Sequence, residues 1–459
     1  MHSRLGFKSV DMTSGPLLKN VILFAIPVII TTLLQYFFNA ADMIVVGRFC
    51  GSDAVASIGA ATPVCNLVVN LFVGFASGVG IITAISAGAE DREECSKIVH
   101  TAVPAAIICG VVINICLFIF STDLLLILKT PENVIKNSDI YMKIYSFGML
   151  PSMLYNFCSS IVRAKGDTVR PLIYLFISGI TNVMLNLIFV LVFDMGVAGV
   201  AIATTISNTL SAVLVIINLL NRQDECRLNV KEMHLHLNPL KKIMKIGVPL
   251  AFQSILVNIA NISIQGIANT FGSQAVAGAS AATSVEAFIG PGITGFTQAA
   301  LNFTGQNFGA ENYGRIKKIF KTCLICVLTF TAFLVIVMIL LSKQVISLYI
   351  TDSPVALSFG ERKMFVSMPG FMLLAVLNIA DASVRGMGKT IVPTTVAVIG
   401  NFGIRTLWLL TAYEMLKTTS FAWEILYLAY PVYWLISAAA LCIIYKVTIS
   451  KYIKAKKMP

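Results

Sequence analysis

Charge is what this chain has least of. Asp, Glu, Lys and Arg make up 12% of its 459 residues, about half the share of a soluble domain, which runs near 25%. So little charge cannot cover a water-facing surface, which excludes a soluble globular protein. Histidine is also sparse, with His2, His100, His234 and His236 alone, and none has the i, i+4 partner within an apolar segment that holds a catalytic zinc. His234-x-His236 sits in a polar connection and reads as a solvated pair. No two acids stand at metal-ligand spacing inside an apolar segment either, which weighs against an intramembrane enzyme. The ten cysteines (50, 65, 95, 109, 116, 158, 226, 323, 326 and 442) lie mostly in apolar segments, so free thiols are expected rather than an extracellular framework. Cys323-x2-Cys326 lacks the second pair of a zinc site. Long polar stretches are missing too: the longest, 221–245, is a linker and not a domain. No short filter-like loop of a channel is visible.

What the chain has is apolar length. Hydrophobic residues are 57% of the total and the mean hydropathy is +0.84. Spans of about 20 apolar residues match a bilayer core of about 30 Å. Twelve are expected, at 21–46, 54–87, 98–121, 138–162, 169–193, 197–220, 243–268, 278–308, 319–341, 364–384, 391–413 and 425–447. The long, glycine-rich 54–87 and 278–308 are expected to tilt, bend or break. The first segment is too long for a signal peptide and is kept as a span. The net charge of +12 raises the question of nucleic acid, but the basic residues are distributed by loop. Counted from an inside N-terminus, even loops and tails hold 25 Lys and Arg, odd loops hold 8, and Arg405 lies inside a span. This pattern puts both termini in the cytoplasm of a multi-pass plasma-membrane protein and leaves no nucleic-acid partner.

One apolar run, 23–46, carries a costly group. An ionised acid at the bilayer centre costs roughly 2.5–3.5 kcal/mol even on lenient insertion scales, and Asp42 lies near the far end of this run. Thr31, Gln35, Asn39 and Asp42 share one helical face. Lipid offers them no hydrogen-bond partner, so the stripe must face protein or water. A polar seam joining two helices is the simpler reading; a functional acid is the sharper one.

The chain also repeats itself. Residues 54–62, AVASIGAAT, return as AVAGASAAT at 275–283, with six identities in nine at an offset of 221. Pro27 matches Pro249, Asn39 matches Asn261, Gly51 matches Gly272 and Gly74-Phe75 matches Gly295-Phe296. Gly88-Ala89-Glu90 returns as Gly309-Ala310-Glu311, and Arg163-x2-Gly166-x4-Pro171 as Arg385-x2-Gly388-x4-Pro393. Six spans per half give both halves the same orientation. The expectation is an all-α membrane protein of two parallel six-helix repeats, a lobe at 1–220, a cytoplasmic linker at 221–245 and a lobe at 246–459, around a central cleft. Many secondary transporters have this layout; duplication for stability alone is the alternative.

Taken together, the Pro-containing first helix with Ala41-Asp42-Met43-Ile44-Val45-Val46-Gly47, the glycine-rich second helix, Asn307-Phe308-Gly309-Ala310 before a basic loop and the paired Arg-x2-Gly-x4-Pro loops resemble multidrug and toxic compound extrusion (MATE) transporters. The resemblance implies a cation-coupled antiporter exporting small organic, often cationic, compounds by alternating access, with sodium or protons as coupling ion and no cofactor. It further implies a cation site of Asp42, Asn182, Asn186 and Thr204. Asn182 and Asn186 fall on one helical face, and carboxylate, amide and hydroxyl oxygens are hard ligands suited to a small cation. Proton-coupled members often carry a second carboxylate where this chain has Asn186, so sodium is favoured, although a buried Asp42 could still titrate.

The substrate-cleft candidates are Gln35, Asn39, Asn261, Glu286, Gln298 and Asn302. Glu286 either faces the cleft or pairs with Arg405, the only basic residue expected deep in a span. Asp381, one turn before Arg385, reads as its ion-pair partner. A lipid-linked oligosaccharide flippase of the same superfamily is the close rival, and an intramembrane enzyme the distant one. A self-contained pair of lobes needs no partner chain, so a monomer is expected.

Overall fold

The apolar segments all become helix. In this computed structural model, which describes residues 9–351 and 353–457, the order is α1 (Leu17–Phe49), α2 (Ser52–Gly88), α3 (Arg92–Ile127), α4 (Glu132–Ala164), α5 (Val169–Leu187), α6 (Gly196–Leu220), α7 (Leu237–Asn269), α8 (Ser273–Glu286), α9 (Gly290–Gly309), α10 (Tyr313–Leu340), α11 (Ser342–Ser347), α12 (Pro354–Gly386), α13 (Ile391–Val398), α14 (Arg405–Trp408), α15 (Glu414–Leu416) and α16 (Ala422–Lys457). A π segment, Ile188–Val192, extends α5; two more, Ile399–Ile404 and Leu409–Tyr413, join α13, α14 and α15 into one rod. His2 lies outside the described residues.

Among the described residues, ten helical runs are long and apolar enough to cross a membrane. The other two expected spans are α4, which carries several charges, and the α8–α9 pair. Of the two glycine-rich segments, 278–308 breaks after Glu286 and resumes at Gly290-Pro291, where Pro suits a first helical turn. Its counterpart α2 stays continuous for 37 residues.

Local chemistry sets the ends. Asp91 caps α3 by accepting from the Glu94 N–H at 2.9 Å, and Ser353 caps α12 by accepting from the Ala356 N–H at 3.2 Å. The duplication is visible in the turns. Glu90 and Glu311, ending the two Gly-Ala-Glu motifs, both adopt left-handed φ, 56° and 55°. Gly51 and Gly272 open α2 and α8 at φ 85° and 95°, a region that favours glycine.

The described chain divides into two units. The first comprises residues up to Val10 and Ile30–Ala251; the second comprises Asp11–Ile29 and the chain from Phe252 onward. In the first, α4 packs against α2, α3 and α6, and α5 packs on α6. In the second, α12 packs against α8, α9, α10 and α16, the repeat-related set. Small residues let backbones approach. Within the first unit a Cβ on Gly74 would lie 3.0 Å from the Ala251 nitrogen. Within the second, a Cβ on the matched Gly295 would lie 2.9 Å from the Ala25 carbonyl. Phe24 meets Phe303 edge to face in the same packing, with ring centroids 5.6 Å apart.

The linker is pinned to the first unit. His100, buried in α3, accepts from the Asn229 N–H through Nε2 at 2.9 Å, while Thr101 accepts from the His236 N–H at 3.2 Å. Lys165 pairs with Glu225, and Arg222 pairs with Asp224 at 2.5 Å. Burial pushes the Asp224 carboxyl up, but the Arg222 hydrogen bonds and charge outweigh it and hold the carboxyl below its usual value.

The close helix contacts and the linker pair can each be tested. Gly278→Ala would drive a methyl into the backbone of α12, with the Gly360 nitrogen 2.8 Å away, and should lower stability by about 1–3 kcal/mol. Gly290→Ala meets open space and should be near neutral; thermal unfolding in detergent separates them. Because the Asp224 carboxyl is depressed in the folded chain, its contribution is complete above the unfolded value near pH 4 and lost as pH falls below it. Proteolysis of the linker should therefore accelerate below about pH 4 in the wild type, and already at neutral pH in Asp224→Ala.

Candidate functional site

Helix α5 puts Asn182 and Asn186 one turn apart on the face turned to α6 and to the second half of α1. Both asparagines are buried, at 6% and 1% exposure. The Asn186 amide nitrogen donates to Asp42 Oδ1 and, at 3.4 Å, to Asn182 Oδ1. The Asn182 amide donates to Thr204 Oγ1 at 3.4 Å, and the Thr204 hydroxyl is itself directed to the Val200 carbonyl at 3.0 Å. All four residues expected at the cation site thus converge inside the first unit.

The electrostatics are unbalanced. Among the described residues Asp42 makes no ion pair; its hydrogen-bond partner is a neutral amide. The Asn186 carbonyl oxygen is buried and has no hydrogen-bond partner. A carboxylate, a vacant amide oxygen, a second amide and a hydroxyl within one patch have surplus acceptor capacity and one uncompensated charge, the complement of a monovalent cation. Beneath them lies an apolar cluster of Val45, Val46, Ala201 and Val190. Val190 belongs to the π segment that starts two residues after Asn186, a local rewinding of a kind frequent at functional sites.

The second unit solves its charges differently. Asp381 pairs with Arg385 at 2.6 Å, the pairing read from the sequence. The Arg385 guanidinium also donates to Thr394 Oγ1 at 3.1 Å and to Gln253 Oε1 at 3.0 Å. Arg405 donates to the Ala260 carbonyl at 3.2 Å and to Asn261 Oδ1 at 3.0 Å, and lies over the Tyr430 ring at 4.4 Å.

Glu286 pairs with Lys363, 3.3 Å away, and accepts from the Ser367 hydroxyl; Arg405 is not its partner. Sequence reasoning missed Lys363 and took Arg405 as the only deep basic residue. The reason is a late start assigned to the tenth span, at 364, whereas α12 begins at Pro354. The Ser353-Pro354 dipeptide, an N-cap followed by a first-turn proline, was the available signal.

The remaining substrate candidates are divided between the two units. Gln35 and Asn39 are exposed on α1, on the polar stripe. Asn261 is engaged by Arg405, with the Tyr430 hydroxyl donating to it at 3.4 Å. Asn302 is buried and donates to its own helix at the Gln298 carbonyl, 2.8 Å away. Among the described residues no group of three or more His, Cys, Asp or Glu side chains is arranged for a metal ion, and the cysteines are free thiols.

Known proteins share this architecture. The MatE family model matches the chain twice, over residues 27–188 and 249–408, so each match begins at one of the paired prolines. The chain is 26% identical to the probable multidrug resistance protein YoeA of Bacillus subtilis, over 84% of this chain and 85% of that one. It is 23% identical to the multidrug export protein MepA of Staphylococcus aureus, over 84% and 86%. Among solved structures, the outward-facing conformation of a multidrug resistance MATE family transporter of the MOP superfamily superposes with a TM-score of 0.90 at 20% identity, covering 98% of this chain and 99% of that one.

The ion pair at the end of α12 has a direct test. Asp381→Ala leaves the buried Arg385 short of its charged partner and should cost roughly 1–3 kcal/mol. Asp381→Asn keeps an acceptor and should cost less, measured as thermal unfolding in detergent.

Proposed function

The chain belongs to the multidrug and toxic compound extrusion family, and on that premise we propose that it exports small organic, often cationic, compounds in exchange for sodium. Export of drugs is supported by the relatives named above, and membership of a transporter family sets the enzyme alternative aside. The observation that carries the sodium reading is the convergence of Asp42, Asn182, Asn186 and Thr204, with the Asp42 charge unpaired and the Asn186 carbonyl unpartnered.

In this reading, the coupling ion enters as a substrate. Asp42 balances its charge, and the amide and hydroxyl oxygens replace its hydration shell. A single carboxylate matches a single monovalent charge. There is no second acid on α5 to relay a proton, which favours sodium over protons. Binding energy from the ion is then available to bias one state of an alternating-access cycle over the other. The lobes are taken as 1–220 and 246–459, joined by the linker 221–245, with both termini on the cytoplasmic side, the side richer in Lys and Arg. Gln35 and Asn39, on the same polar stripe as Asp42, are the first residues to examine for substrate contact.

The experiment is efflux of a fluorescent cationic dye preloaded into right-side-out vesicles under an inwardly directed sodium gradient with the proton gradient collapsed. Wild-type protein should move dye under these conditions, and Asp42→Asn should lose at least tenfold in rate, equivalent to about 1.4 kcal/mol of coupling. Absence of sodium-driven efflux in the wild type defeats the choice of ion. Undiminished efflux by Asp42→Asn removes this site from the mechanism.

A further inference from the structure

Lys363 is a buried charge of the second unit to which the proposed export cycle gives no role. It is 5% exposed, on α12, and faces the last turn of α8. Its ammonium donates to the Ala279 carbonyl at 3.2 Å and to the Thr283 hydroxyl, lies 3.3 Å from Glu286 Oε2, and stands over the Tyr427 ring at 5.1 Å. The Thr283 hydroxyl directs its own hydrogen to the Ala279 carbonyl at 2.9 Å, so towards Lys363 it can only accept. Glu286 is the last residue of α8, where the helix dipole adds negative partial charge. Ser367 donates to the other Glu286 oxygen.

One carboxylate, one hydroxyl, one carbonyl and one aromatic face therefore surround the nitrogen. They are the kinds of group that coordinate a free monovalent cation, with the cation here tethered to the chain. The repeat underlines the point. The positions matching Glu286, Lys363 and Ser367 in the first half are Cys65, Tyr141 and Tyr145, all uncharged. This pair is thus particular to the second half.

We propose that the α8–α12 junction is a monovalent-cation site kept filled by the Lys363 ammonium, and that with this side chain removed it takes a small free ammonium ion. The second unit then contributes no exchangeable ion through Glu286. This inference does not depend on which ion drives export.

Thermal unfolding in detergent tests it, with methylammonium chloride as the probe and tetramethylammonium chloride, which has no N–H to donate, as the control. The wild type sets the background, including any binding near Asp42. Methylammonium should raise the Tm of Lys363→Ala by about 2–4 °C more than that of the wild type. Tetramethylammonium should give no such excess, and the double variant Glu286→Gln/Lys363→Ala should behave as the wild type. No excess shift, an equal shift with tetramethylammonium, or an excess that survives in the double variant overturns the proposal and leaves an ordinary structural ion pair. If Lys363→Ala folds only when methylammonium is present, the site has been refilled and the proposal stands. If it fails even then while the double variant folds, the junction cannot accept a free ion and the proposal falls.

Discussion

A bilayer interior offers no hydrogen bond and no counter-charge, so every polar atom inside this protein has to be answered by another part of the chain. That constraint decides what can be read as function. Asp381 is answered by Arg385, and Glu286 by Lys363. Arg405 is met at Nη2 by carbonyl and amide oxygens and lies over two tyrosine rings, while its Nε and Nη1 are buried without a hydrogen-bond partner. Asp42 is answered only by a neutral amide. Among the described residues its charge has no ionic partner, and the neighbouring Asn186 carbonyl oxygen is buried without a hydrogen bond.

The same constraint explains how much was legible in the sequence. Spans are readable because an apolar run about 20 residues long suits a membrane-crossing helix and little else, and the duplication because both halves keep the residues that turns and close approaches require. Gly51 and Gly272 recur because both sit at positive φ; Gly74 and Gly295 recur because both lie against another helix's backbone. The four residues of the proposed cation site could be singled out once the first-helix acid and the asparagine pair on α5 were set beside a family pattern. Spacing alone put Asn182 and Asn186 on a common face, but it could not bring Thr204 or Asp42 to them.

What escaped was long-range pairing. Glu286 could be seen as an expensive acid, yet its partner lies 77 residues away on a helix whose start was placed too late. A hydropathy window discounts a lysine and so trims it from the span, although Lys and Arg are tolerated inside when a carboxylate meets them. His100 was missed for a similar reason. At the start of a helix it reads as surface, and only the fold shows that Nε2 receives the linker backbone at Asn229. The π segments leave no sequence mark at all; Ile188–Val192 is as apolar as any α-helical stretch.

Duplication supplies two copies of every position, and the copies need not keep the same chemistry. Ile264 stands where the first half has Asp42, and Cys65 stands where the second half has Glu286. Each half therefore holds a half-buried acid the other lacks, at different places on the common plan. The two acids also end differently, one without a charged partner and one beside a lysine. An acid with an internal ammonium is held in a fixed charge state by a group that cannot leave. An acid without one changes its energy whenever a cation arrives or departs, and only such a change can bias a conformational equilibrium. The asymmetry between the halves is what would allow a duplicated frame to respond to an ion in one place while staying electrically settled in the other.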